Sequence, residues 1–388
     1  MRIANIIEEG KLGGPQVRMV RVAAALEGRA ETLIVMPRAN SGPFREMCEA
    51  HGVPYRAVPL TRITREWRAA LAYLVLSPWE VIRLARLFRR EGIDLVHASG
   101  GSWQYKAVIA ARLAGIPAIW HLNDTAMPGW VRRLFRLVAP LASGFIFASR
   151  RSQDCYGDLV DAGRCQAVVP STVDTARFDP GREWPGDDAL LARLGDGPVI
   201  GTVANINPIK GLEVLIAAFT RVHAARPDAR LVIVGPVHAN QAGLHRRLCA
   251  QAEELGVAQA VEWAGSRTDV RPLLARFDVY VCASHAESSP VSVWEAMAMA
   301  RSVVTTDVGD VACHVTDGES GYIVPVGDDA AMADRIGRLL DDAQLRDGMG
   351  RAARDASAAF SPDRIAAETL GFYRTVLHPA TGQGKSGP

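Results

Sequence analysis

Short apolar runs rich in β-branched residues alternate along this chain with longer segments in which apolar residues recur every three or four positions. Runs of the first kind are typical of buried strands, and segments of the second kind are typical of helices. In the first half, strands are predicted at residues 3–7, 32–36, 95–98, 118–121 and 145–148. Helices are predicted between them at residues 15–27, 67–90 and 104–114. This alternation predicts βαβ units and a parallel, doubly wound sheet.

A pause in this alternation divides the chain. Residues 168–178 and the Pro-, Gly- and Asp-rich stretch 179–198 fit neither pattern, which is typical of a linker or a domain boundary. A second set of strands is predicted after the pause, at residues 199–204, 230–234, 260–263, 279–282 and 302–306. A last helix is predicted at residues 362–377.

The predicted fold class is therefore α/β, with two Rossmann-like domains that each contain a doubly wound parallel sheet. A length of 388 residues agrees, because it exceeds what one hydrophobic core usually serves. Ligands of such folds bind at the carboxyl ends of the strands, which predicts a crevice between the two domains. We expect a first domain over residues 1–175 and a second over 176–361. A C-terminal helical segment over 362–379 is expected to pack back on the first domain. The Gly-, Ser- and Pro-rich tail over 380–388 is expected to be disordered.

Composition excludes several classes of protein. Apolar residues make up 48% and charged residues 22% of the chain, as in ordinary globular proteins. A formal net charge of +2 is too small to produce a strong electrostatic field that would attract nucleic acid. The six cysteines form no C-x-x-C pair, so neither a zinc site nor a dithiol is indicated. The amino terminus resembles a strand and not a signal peptide, and the longest apolar run is too short to span a membrane. We therefore expect a cytoplasmic protein with reduced thiols.

The most informative segment runs from residue 283 to residue 310. Ser288 or Ser289 can cap a helix, and Pro290 suits the first helical position because a missing N–H has no effect there. A helix that continues through Val291 would then point its amino terminus into the predicted crevice. Unpaired N–H groups and the helix dipole make such an end suitable for an anion such as a diphosphate.

Two carboxylates flank this predicted anion site, Glu287 in the loop before it and Glu295 in the helix. Like charges repel, so neither carboxylate suits the phosphate itself. Carboxylate oxygens instead accept hydrogen bonds from hydroxyl groups, which a sugar on one side of a diphosphate and a ribose on the other would supply. The alternative is a pair of ordinary surface glutamates around a capped helix.

Three further groups lie where predicted strands end. Lys210 precedes Gly211 and a predicted helix, so it can hold a phosphate oxygen, although exposed lysines open many helices. Gly13 and Gly14 either let the backbone approach a ligand, with a positive φ if needed, or form a plain turn. His121 ends a strand on the crevice side and is either catalytic or structural.

Several segments match one protein family both in residue type and in order. They include E-x7-E from Glu287 to Glu295, the segments V-V-T-T-D-V-G-D and D-G-E-S-G-Y-I-V-P beyond it, and the K-G pair at Lys210. They also include the glycine loop, V-x-W-x-G at residues 261–265 and V-V-P-S-T-V-D-x-x-R-F at residues 168–178. Together these segments cover nearly the whole chain. In this respect the chain resembles glycosyltransferase family 4, a large family of retaining enzymes with the GT-B fold.

The resemblance implies a role for each candidate residue. Glu287 would bind hydroxyls of the donor sugar near the reacting carbon, and Glu295 would bind the ribose of the nucleotide. Lys210 would hold the diphosphate, helped by backbone amides of the glycine loop and around Pro290, and His121 would lie near the transferred sugar. The implied catalytic residues are Lys210, Glu287 and His121. The implied donor-binding residues are Gly13, Gly14, Asn205, Lys210, Arg267, Glu287, Ser288, Ser289, Pro290, Val291 and Glu295.

The chain also departs from the family's pattern. The family often has an arginine five residues before the lysine, where this chain has Asn205. We therefore expect charge stabilisation of the departing diphosphate to be weaker or to come from another residue. Arg267, in a segment expected near the base, is one candidate. Ser288 and Ser289 replace a frequent Gly-Phe pair, a change that can alter sugar preference or efficiency.

The function that the resemblance implies is sugar transfer from a nucleotide diphosphate donor to a hydroxyl of a glycan or lipid-linked acceptor. It implies retention of anomeric configuration and a place in bacterial-type surface polysaccharide or glycoconjugate synthesis. It implies no cofactor and no bound metal, and the lack of a D-x-D pair at a plausible strand end agrees. Two other functions stay open: a sugar-nucleotide epimerase of the same fold, and a non-catalytic protein that binds nucleotide sugars.

Two stretches of the first half are rich in basic and aromatic residues. They could rest on an anionic leaflet at the inner face of the membrane and reach a lipid-linked acceptor. Alternatively, they are ordinary amphipathic helices whose basic face lies in water. The first stretch contains Trp67, Arg68, Trp79, Arg83, Arg86, Phe88, Arg89 and Arg90, and the second contains Trp130, Arg132, Arg133, Phe135 and Arg136.

Overall fold

The chain forms two compact units. The N-terminal unit comprises Met1–Thr172 and the chain from Pro362 onward, and the C-terminal unit comprises Val173–Ser361. The boundary falls inside the predicted pause at residues 168–178. The predicted disordered tail, residues 380–388, lies outside the described residues. The structure, a computed structural model, describes residues 1–62, 67–125, 127–184 and 188–378.

Within its described residues, the N-terminal unit contains one parallel sheet of seven strands. The strands are β1 (Arg2–Ile6), β2 (Glu31–Pro37), β3 (Tyr55–Val58), β4 (Leu95–Ala98), β5 (Ala118–Leu122), β6 (Gly144–Phe147) and β7 (Cys165–Val168). The helices before residue 172 are α1 (Gly14–Ala25), α2 (Gly42–Ala50), α3 (Trp67–Arg90), α4 (Tyr105–Ala114), α5 (Gly129–Val138) and α6 (Arg150–Tyr156). The strand order is β3-β2-β1-β4-β5-β6-β7. Strands β1 to β3 are added toward one edge of the sheet and β4 to β7 toward the other, as in doubly wound folds.

The C-terminal unit repeats this architecture, with six parallel strands among its described residues. The strands are β8 (Val199–Val203), β9 (Arg230–Val234), β10 (Val261–Gly265), β11 (Val279–Cys282), β12 (Ser302–Thr306) and β13 (Tyr322–Val324). The helices are α7 (Asp188–Leu194), α8 (Leu212–Ala225), α9 (Ala242–Glu254), α10 (Arg271–Arg276), α11 (Val291–Ala298), α12 (Val311–His314), α13 (Asp329–Asp341) and α14 (Ala343–Ser357). The strand order is β10-β9-β8-β11-β12-β13, so the predicted parallel α/β fold is confirmed in both units.

The last helix, α15 (Pro362–Leu377), belongs to the N-terminal unit. Its apolar face forms one buried cluster with sheet residues that include Ile3, Leu95 and Ile119. Gly144, at the start of β6, allows a close approach, because a Cβ atom there would lie 2.9 Å from Cγ2 of Val376. Burial of these apolar side chains against the sheet stabilises the position of the helix.

The sequence pattern does not predict three of the strands, β3, β7 and β13. All three lie at edges of the two sheets, and β7 has no fully buried residue. A strand covered on one side only lacks the continuous apolar run that marks a buried parallel strand. The pattern is accurate for the covered strands: β4, β9, β11 and β12 begin and end at the predicted residues.

Two aromatic residues of the predicted basic and aromatic surfaces are buried, which corrects that prediction. Phe88 in α3 and Phe135 in α5 are both 0% exposed and belong to the core of the N-terminal unit, because helical periodicity places them on the face that meets the sheet. The side chains of Trp67 and Arg68 lie outside the described residues. Among the described residues, no helix combines the length and the apolar character that crossing a membrane requires.

A buried cluster of charged side chains connects three segments of the N-terminal unit. Lys106 Nζ, in α4, lies 2.6 Å from a carboxylate oxygen of Glu80 in α3 and 3.5 Å from one of Glu8, in the loop after β1. All three side chains are at most 4% exposed. The carbonyl and hydroxyl oxygens of Thr61 also accept from Lys106, at 2.6 and 2.9 Å. Burial raises the pKa of Glu8 to about 7, against the lowering effect of Lys106.

Replacement of Lys106 by Met is expected to lower the free energy of unfolding by about 3–5 kcal/mol at about pH 8, because Glu8 and Glu80 would be buried without a cation. The pKa of Glu8 is raised from 4.5 in the unfolded chain to about 7 in the folded protein. The contribution of Glu8 to the free energy of unfolding is therefore full below pH 4.5 and is lost as pH rises through about 7. The loss in the variant is therefore expected to be smaller at about pH 5, where Glu8 is protonated.

Urea unfolding of both proteins at the two pH values measures this difference. Lys11→Met, at an exposed lysine of the same unit, is the control. Equal effects of the two substitutions would contradict a structural role for the buried cluster.

Candidate functional site

Lys210 lies in a tight turn that leads from β8 to α8. The side chain of Asn207 accepts a hydrogen bond from the N–H of Ile209 at 3.0 Å, which stabilises the turn. Gly211 then adopts a left-handed backbone conformation with a φ of 60°. A Cβ atom at Gly211 would lie 2.0 Å from the carbonyl oxygen of Ala283. Only glycine therefore lets this turn approach the segment that follows β11.

This approach joins two of the predicted catalytic residues. Lys210 Nζ donates to Oε1 of Glu287 at 2.5 Å, and the hydroxyl of Ser284 donates to the same oxygen at 2.9 Å. The backbone of Ser284 is fixed in turn, because the hydroxyl of Thr306 donates to its carbonyl oxygen at 2.7 Å. Both charged side chains are partly buried. Among the described residues, none donates a hydrogen bond to Oε2 of Glu287, so this oxygen can accept from a hydroxyl group.

A concavity of about 190 Å³ lies beside Lys210, at the carboxyl ends of β8, β9 and β10. It brings together three of the predicted donor-binding residues, Asn205, Lys210 and Arg267. Two cations in one concavity suit an anionic ligand. Among the described residues, no three His, Cys, Asp or Glu side chains are grouped so that they could hold a metal ion. The other lining residues are Val203, Ala204, Val234, Gly235, Pro236, Ser266 and Val270.

Two residues of this site, Ser284 and Gly235, are missing from the sequence prediction. Ser284 orients Glu287, but a serine three residues before a glutamate is too common to indicate that contact. Gly235 lines the concavity, and a Cβ atom there would lie 2.1 Å from the carbonyl oxygen of Ala204. A glycine directly after a predicted strand was the available signal for this close approach.

The start of α11 corrects the predicted helix cap. Pro290 is not the first helical residue, because the helix begins at Val291 and Pro290 precedes it with a ψ of 78°. Neither Ser288 nor Ser289 caps the helix with its side chain. The N–H of Val291 donates instead to the carbonyl oxygen of Ser289 at 2.9 Å, so it is already paired. The hydroxyl of Ser289 accepts from Nε1 of Trp294 at 3.2 Å, and that of Ser288 is buried with no partner among the described residues.

Glu295, the second predicted glutamate, lies in the second turn of α11 and is partly buried. It is close to the buried Tyr280 of β11. Burial raises the pKa of that phenol, and the carboxylate of Glu295 adds a smaller rise. The binding of a ribose by Glu295 stays a prediction.

The glycine loop of the N-terminal unit is a plain turn in its backbone geometry. Gly13 precedes α1 with an extended φ of −157°, and Gly14 is the first helical residue, so neither uses a positive φ. A Cβ atom at Gly13 would lie 3.3 Å from Oε1 of Gln16, whereas Gly14 has open space around it. The possibility of positive φ is therefore wrong, and binding of a ligand by this loop stays a prediction.

His121 lies in β5, near the carboxyl end of the strand, and its side chain is buried. Its Nδ1 lies 3.1 Å from Nε2 of His97 and 3.3 Å from Nη1 of Arg18. Burial lowers the pKa of His121 well below its ordinary value, and the charge of Arg18 lowers it further. The imidazole is therefore neutral at physiological pH. The sequence prediction misses both partners, because α1 contains two arginines, Arg18 and Arg21, and only the structure shows that Arg18 is the buried one.

Gly211→Ala is expected to lower the free energy of unfolding more than Gly256→Ala, its matched control. Both glycines have left-handed backbones, with φ of 60° and 73°, which cost a residue with a Cβ atom about 1–2 kcal/mol. Only Gly211 has another atom within 4 Å of the added Cβ position, so only its replacement must displace Lys210. Urea unfolding of the two variants measures the difference. Equal losses would contradict the close approach.

Two family models match this chain, one in each unit. The model described as "Glycosyl transferase 4-like domain" matches residues 13–171. The model described as "Glycosyl transferases group 1" matches residues 197–342. Together the two matches cover most of the chain.

Curated relatives agree with these matches. The chain is 37% identical to a D-inositol 3-phosphate glycosyltransferase from Acidothermus cellulolyticus, over 95% of this chain and 87% of the relative. It is 33% identical to the enzyme of the same name from Stackebrandtia nassauensis, over 94% of this chain and 87% of the relative.

Solved structures match in fold. HepE from Anabaena, in complex with UDP and glucose, matches with a TM-score of 0.79 at 23% identity, over 95% of this chain and 99% of that one. The sucrose-phosphate synthase from Thermosynechococcus elongatus matches with a TM-score of 0.79 at 19% identity, over 98% of this chain and 100% of that one. The chain therefore belongs to the glycosyltransferases of the family 4 type, is a glycosyltransferase, and has the GT-B fold.

Proposed function

We propose that this glycosyltransferase moves a sugar from a nucleoside diphosphate donor to an acceptor hydroxyl with retention of anomeric configuration. The observation that carries the proposal is the contact between Lys210 and Glu287 beside a concavity that contains a second cation. Cleavage of the bond between sugar and diphosphate develops negative charge on the leaving group, and a cation already in place lowers the energy of that transition state. Oε2 of Glu287 is then available to accept a hydrogen bond from a sugar hydroxyl.

Arg267 is proposed to supply the second positive charge on the diphosphate. The family often has an arginine at the position of Asn205, and an asparagine side chain is uncharged. Asn205 and Arg267 line the same concavity as Lys210. A guanidinium group can bind two phosphate oxygens at once, so an arginine that follows β10, two strands from β8 in the sheet, can replace the missing charge.

The relatives and the fold neighbours suggest substrates to test first. The Anabaena HepE structures contain UDP and glucose, and the curated relatives are named for D-inositol 3-phosphate. We therefore propose a UDP-sugar as donor and a phosphorylated inositol as the first acceptor to test. A glycan or lipid-linked acceptor of surface polysaccharide synthesis is the second candidate. The exposed apolar and basic side chains of α3 favour it, because they suit a membrane surface where a lipid-linked acceptor would lie.

Lys210→Ala and Glu287→Ala are each expected to lower kcat/KM at least tenfold, equivalent to about 1.4 kcal/mol of barrier. The lysine variant loses charge stabilisation of the leaving group, and the glutamate variant loses alignment of the sugar. A thermal-shift screen against UDP, GDP and ADP selects the donor base, since a ligand at about 100 times its Kd adds about 2.7 kcal/mol of stability. Initial rates of transfer from the matching nucleotide sugar then measure the loss.

Arg247→Ala, at an exposed cation of the same unit, is the control for these two variants. Wild-type rates in both site variants would contradict the roles proposed for Lys210 and Glu287. We expect EDTA to leave the rate unchanged, because the family's mechanism uses no metal. NMR of the product is expected to give the anomer of the donor. An isomerised nucleotide sugar without transfer would favour an epimerase, and ligand stabilisation without any turnover would favour a binding protein.

We also propose that α3 rests on an anionic membrane surface at the inner face of the membrane. The helix exposes large apolar side chains in its first turns and arginines in its last turns. Glu80, the acidic residue of this helix, is buried, so the exposed face carries positive charge only. An apolar stripe beside a cationic one suits the boundary of an anionic leaflet. The exposed residues are Leu71, Leu74, Val75, Leu76, Trp79, Ile82, Arg83, Arg86, Arg89 and Arg90.

The wild-type protein is expected to sediment with vesicles of phosphatidylcholine and phosphatidylserine, and less so as salt is added. The double variant Leu74→Asp with Val75→Asp is expected to lose binding to these vesicles, because two apolar side chains no longer enter the lipid. Leu255→Asp, at an exposed leucine of the C-terminal unit, is the control. No salt-sensitive binding by the wild type would favour the alternative, in which the basic face of α3 lies in water.

A further inference from the structure

A row of polar side chains is buried on the face of the N-terminal sheet that α1 and α15 cover. Asn5 of β1 is paired with His97 of β4 in the sheet register, and His121 of β5 lies two residues beyond the register partner of His97. Arg18 from α1 and Tyr373 from α15 contact these histidines. All five side chains are at most 4% exposed.

The chemistry of the donors fixes the direction of every hydrogen bond in this row. A guanidinium group can only donate, so Nδ1 of His121, 3.3 Å from Nη1 of Arg18, must accept. The neutral His121 ring then carries its proton on Nε2. Nε2 of His97 lies 3.1 Å from the same Nδ1 and must therefore donate to it. His97 is then an acceptor at Nδ1, where the hydroxyl of Tyr373 donates at 2.6 Å.

The groups around His121 keep these protonation states over a wide range of pH. Burial lowers the pKa of His97 to about 3, and it lowers that of His121 well below the ordinary value. Burial also lowers the pKa of Arg18 to about 10, where it is still charged at neutral pH, and raises that of Tyr373. Glu368 of α15 is the carboxylate that acts on Arg18. His121 is therefore neutral, with a fixed tautomer, throughout the physiological range.

Two donor atoms at the end of this row lack an acceptor. Nε2 of His121 and Nη2 of Arg18 are both buried, and neither has a hydrogen-bond partner among the described residues. The Nε atom of Arg18 is satisfied by the carbonyl oxygen of Pro170 at 3.4 Å. A buried donor without an acceptor is unfavourable, so each of these two atoms suits an oxygen that arrives with a ligand.

We propose that Arg18, His97 and Tyr373 are positioning residues that hold His121 as a neutral donor, with its Nε2–H available to an oxygen of the bound substrate. The proposal rests on the proposed function in one respect: sugar transfer must occur, with His121 near the transferred sugar as the family resemblance implies. It specifies what His121 does there. The imidazole donates a hydrogen bond through Nε2, because its Nδ1 already accepts from Arg18 and His97.

The tautomer is measured directly by 15N NMR of histidine-labelled protein without substrate, with His121 assigned from the signal missing in His121→Gln. Nε2 is expected to be protonated and Nδ1 unprotonated from about pH 6 to about pH 8. In the double variant Arg18→Met with Tyr373→Phe, both fixed donors are gone and a mixture of tautomers is expected. Arg18→Lys keeps a group that only donates and is expected to keep the wild-type tautomer. A proton on Nδ1 in the wild type would overturn the proposal.

Activity supplies the second measurement, with the nucleotide sugar chosen by the thermal-shift screen. His121→Leu is expected to lower kcat at least tenfold, because it removes a positioned hydrogen-bond donor. His121→Gln, which keeps an N–H donor without an ionisable ring, is expected to restore part of the loss with no dependence on pH from about pH 6 to about pH 8. The Arg18→Met with Tyr373→Phe variant is expected to lower kcat by a larger factor than it raises KM. The Arg18→Lys variant is expected to keep most of the wild-type kcat.

These outcomes separate the proposal from a failure of the proposed function. Wild-type kcat in His121→Leu, beside inactive Lys210→Ala and Glu287→Ala variants, would overturn the role of His121 and leave the C-terminal assignments intact. A merely structural role for Arg18 and Tyr373 would lower thermal stability without changing the tautomer of His121. That result would also overturn the proposal.

Discussion

The C-terminal site depends on one close approach, that of the turn after β8 to the segment after β11. These two strands are neighbours in the sheet, so their carboxyl ends meet at one edge although much of the unit separates them in sequence. Gly211 removes the side chain that would hold the two segments apart, and the ion pair of Lys210 with Glu287 then joins them. Because Ser284 donates to the same carboxylate oxygen, Glu287 is held from two sides. A cation and a carboxylate oxygen that can accept a further hydrogen bond thus lie side by side.

In the N-terminal unit the corresponding polar and charged groups are fully buried, whereas Lys210 and Glu287 of the C-terminal unit are only partly buried. Lys106 is tied to two carboxylates and a threonine, so removal of its charge from water is compensated by hydrogen bonds. Within the part of the chain that the structure describes, His97 and His121 have no carboxylate among their hydrogen-bond partners, and desolvation leaves them neutral. The charge of Arg18 beside them reinforces this state. The same physical effect, the cost of burying charge, therefore requires the charges to be paired in one part of the unit and leaves a neutral hydrogen-bond network in another.

Family membership accounts for the shared architecture and leaves substrate choice to individual side chains. Both units match family models, and relatives with identities above 30% cover nearly the whole chain. The departures from the family pattern that the resemblance implies lie close to Lys210 and Glu287: Asn205 lines the concavity beside Lys210, and Ser288 and Ser289 stand before α11. The arginine at position 267 lines the same concavity. A shared fold does not fix the ligand, so these side chains are where we expect the choice of sugar and acceptor to be made.

The sequence by itself determined the parallel α/β fold, the two units and the buried strands, because strands covered on both faces require continuous apolar runs. It also indicated Lys210 and Glu287, since residues that follow parallel strands gather at one edge of a sheet. Three edge strands, β3, β7 and β13, were not predictable, because their partly exposed faces are not uniformly apolar, whereas the edge strand β10 was predicted. The tertiary structure alone decided the pairing of Lys210 with Glu287, the backbone at Pro290 and the partners of His121. These depend on distances between segments remote in sequence, and no local pattern contains such distances.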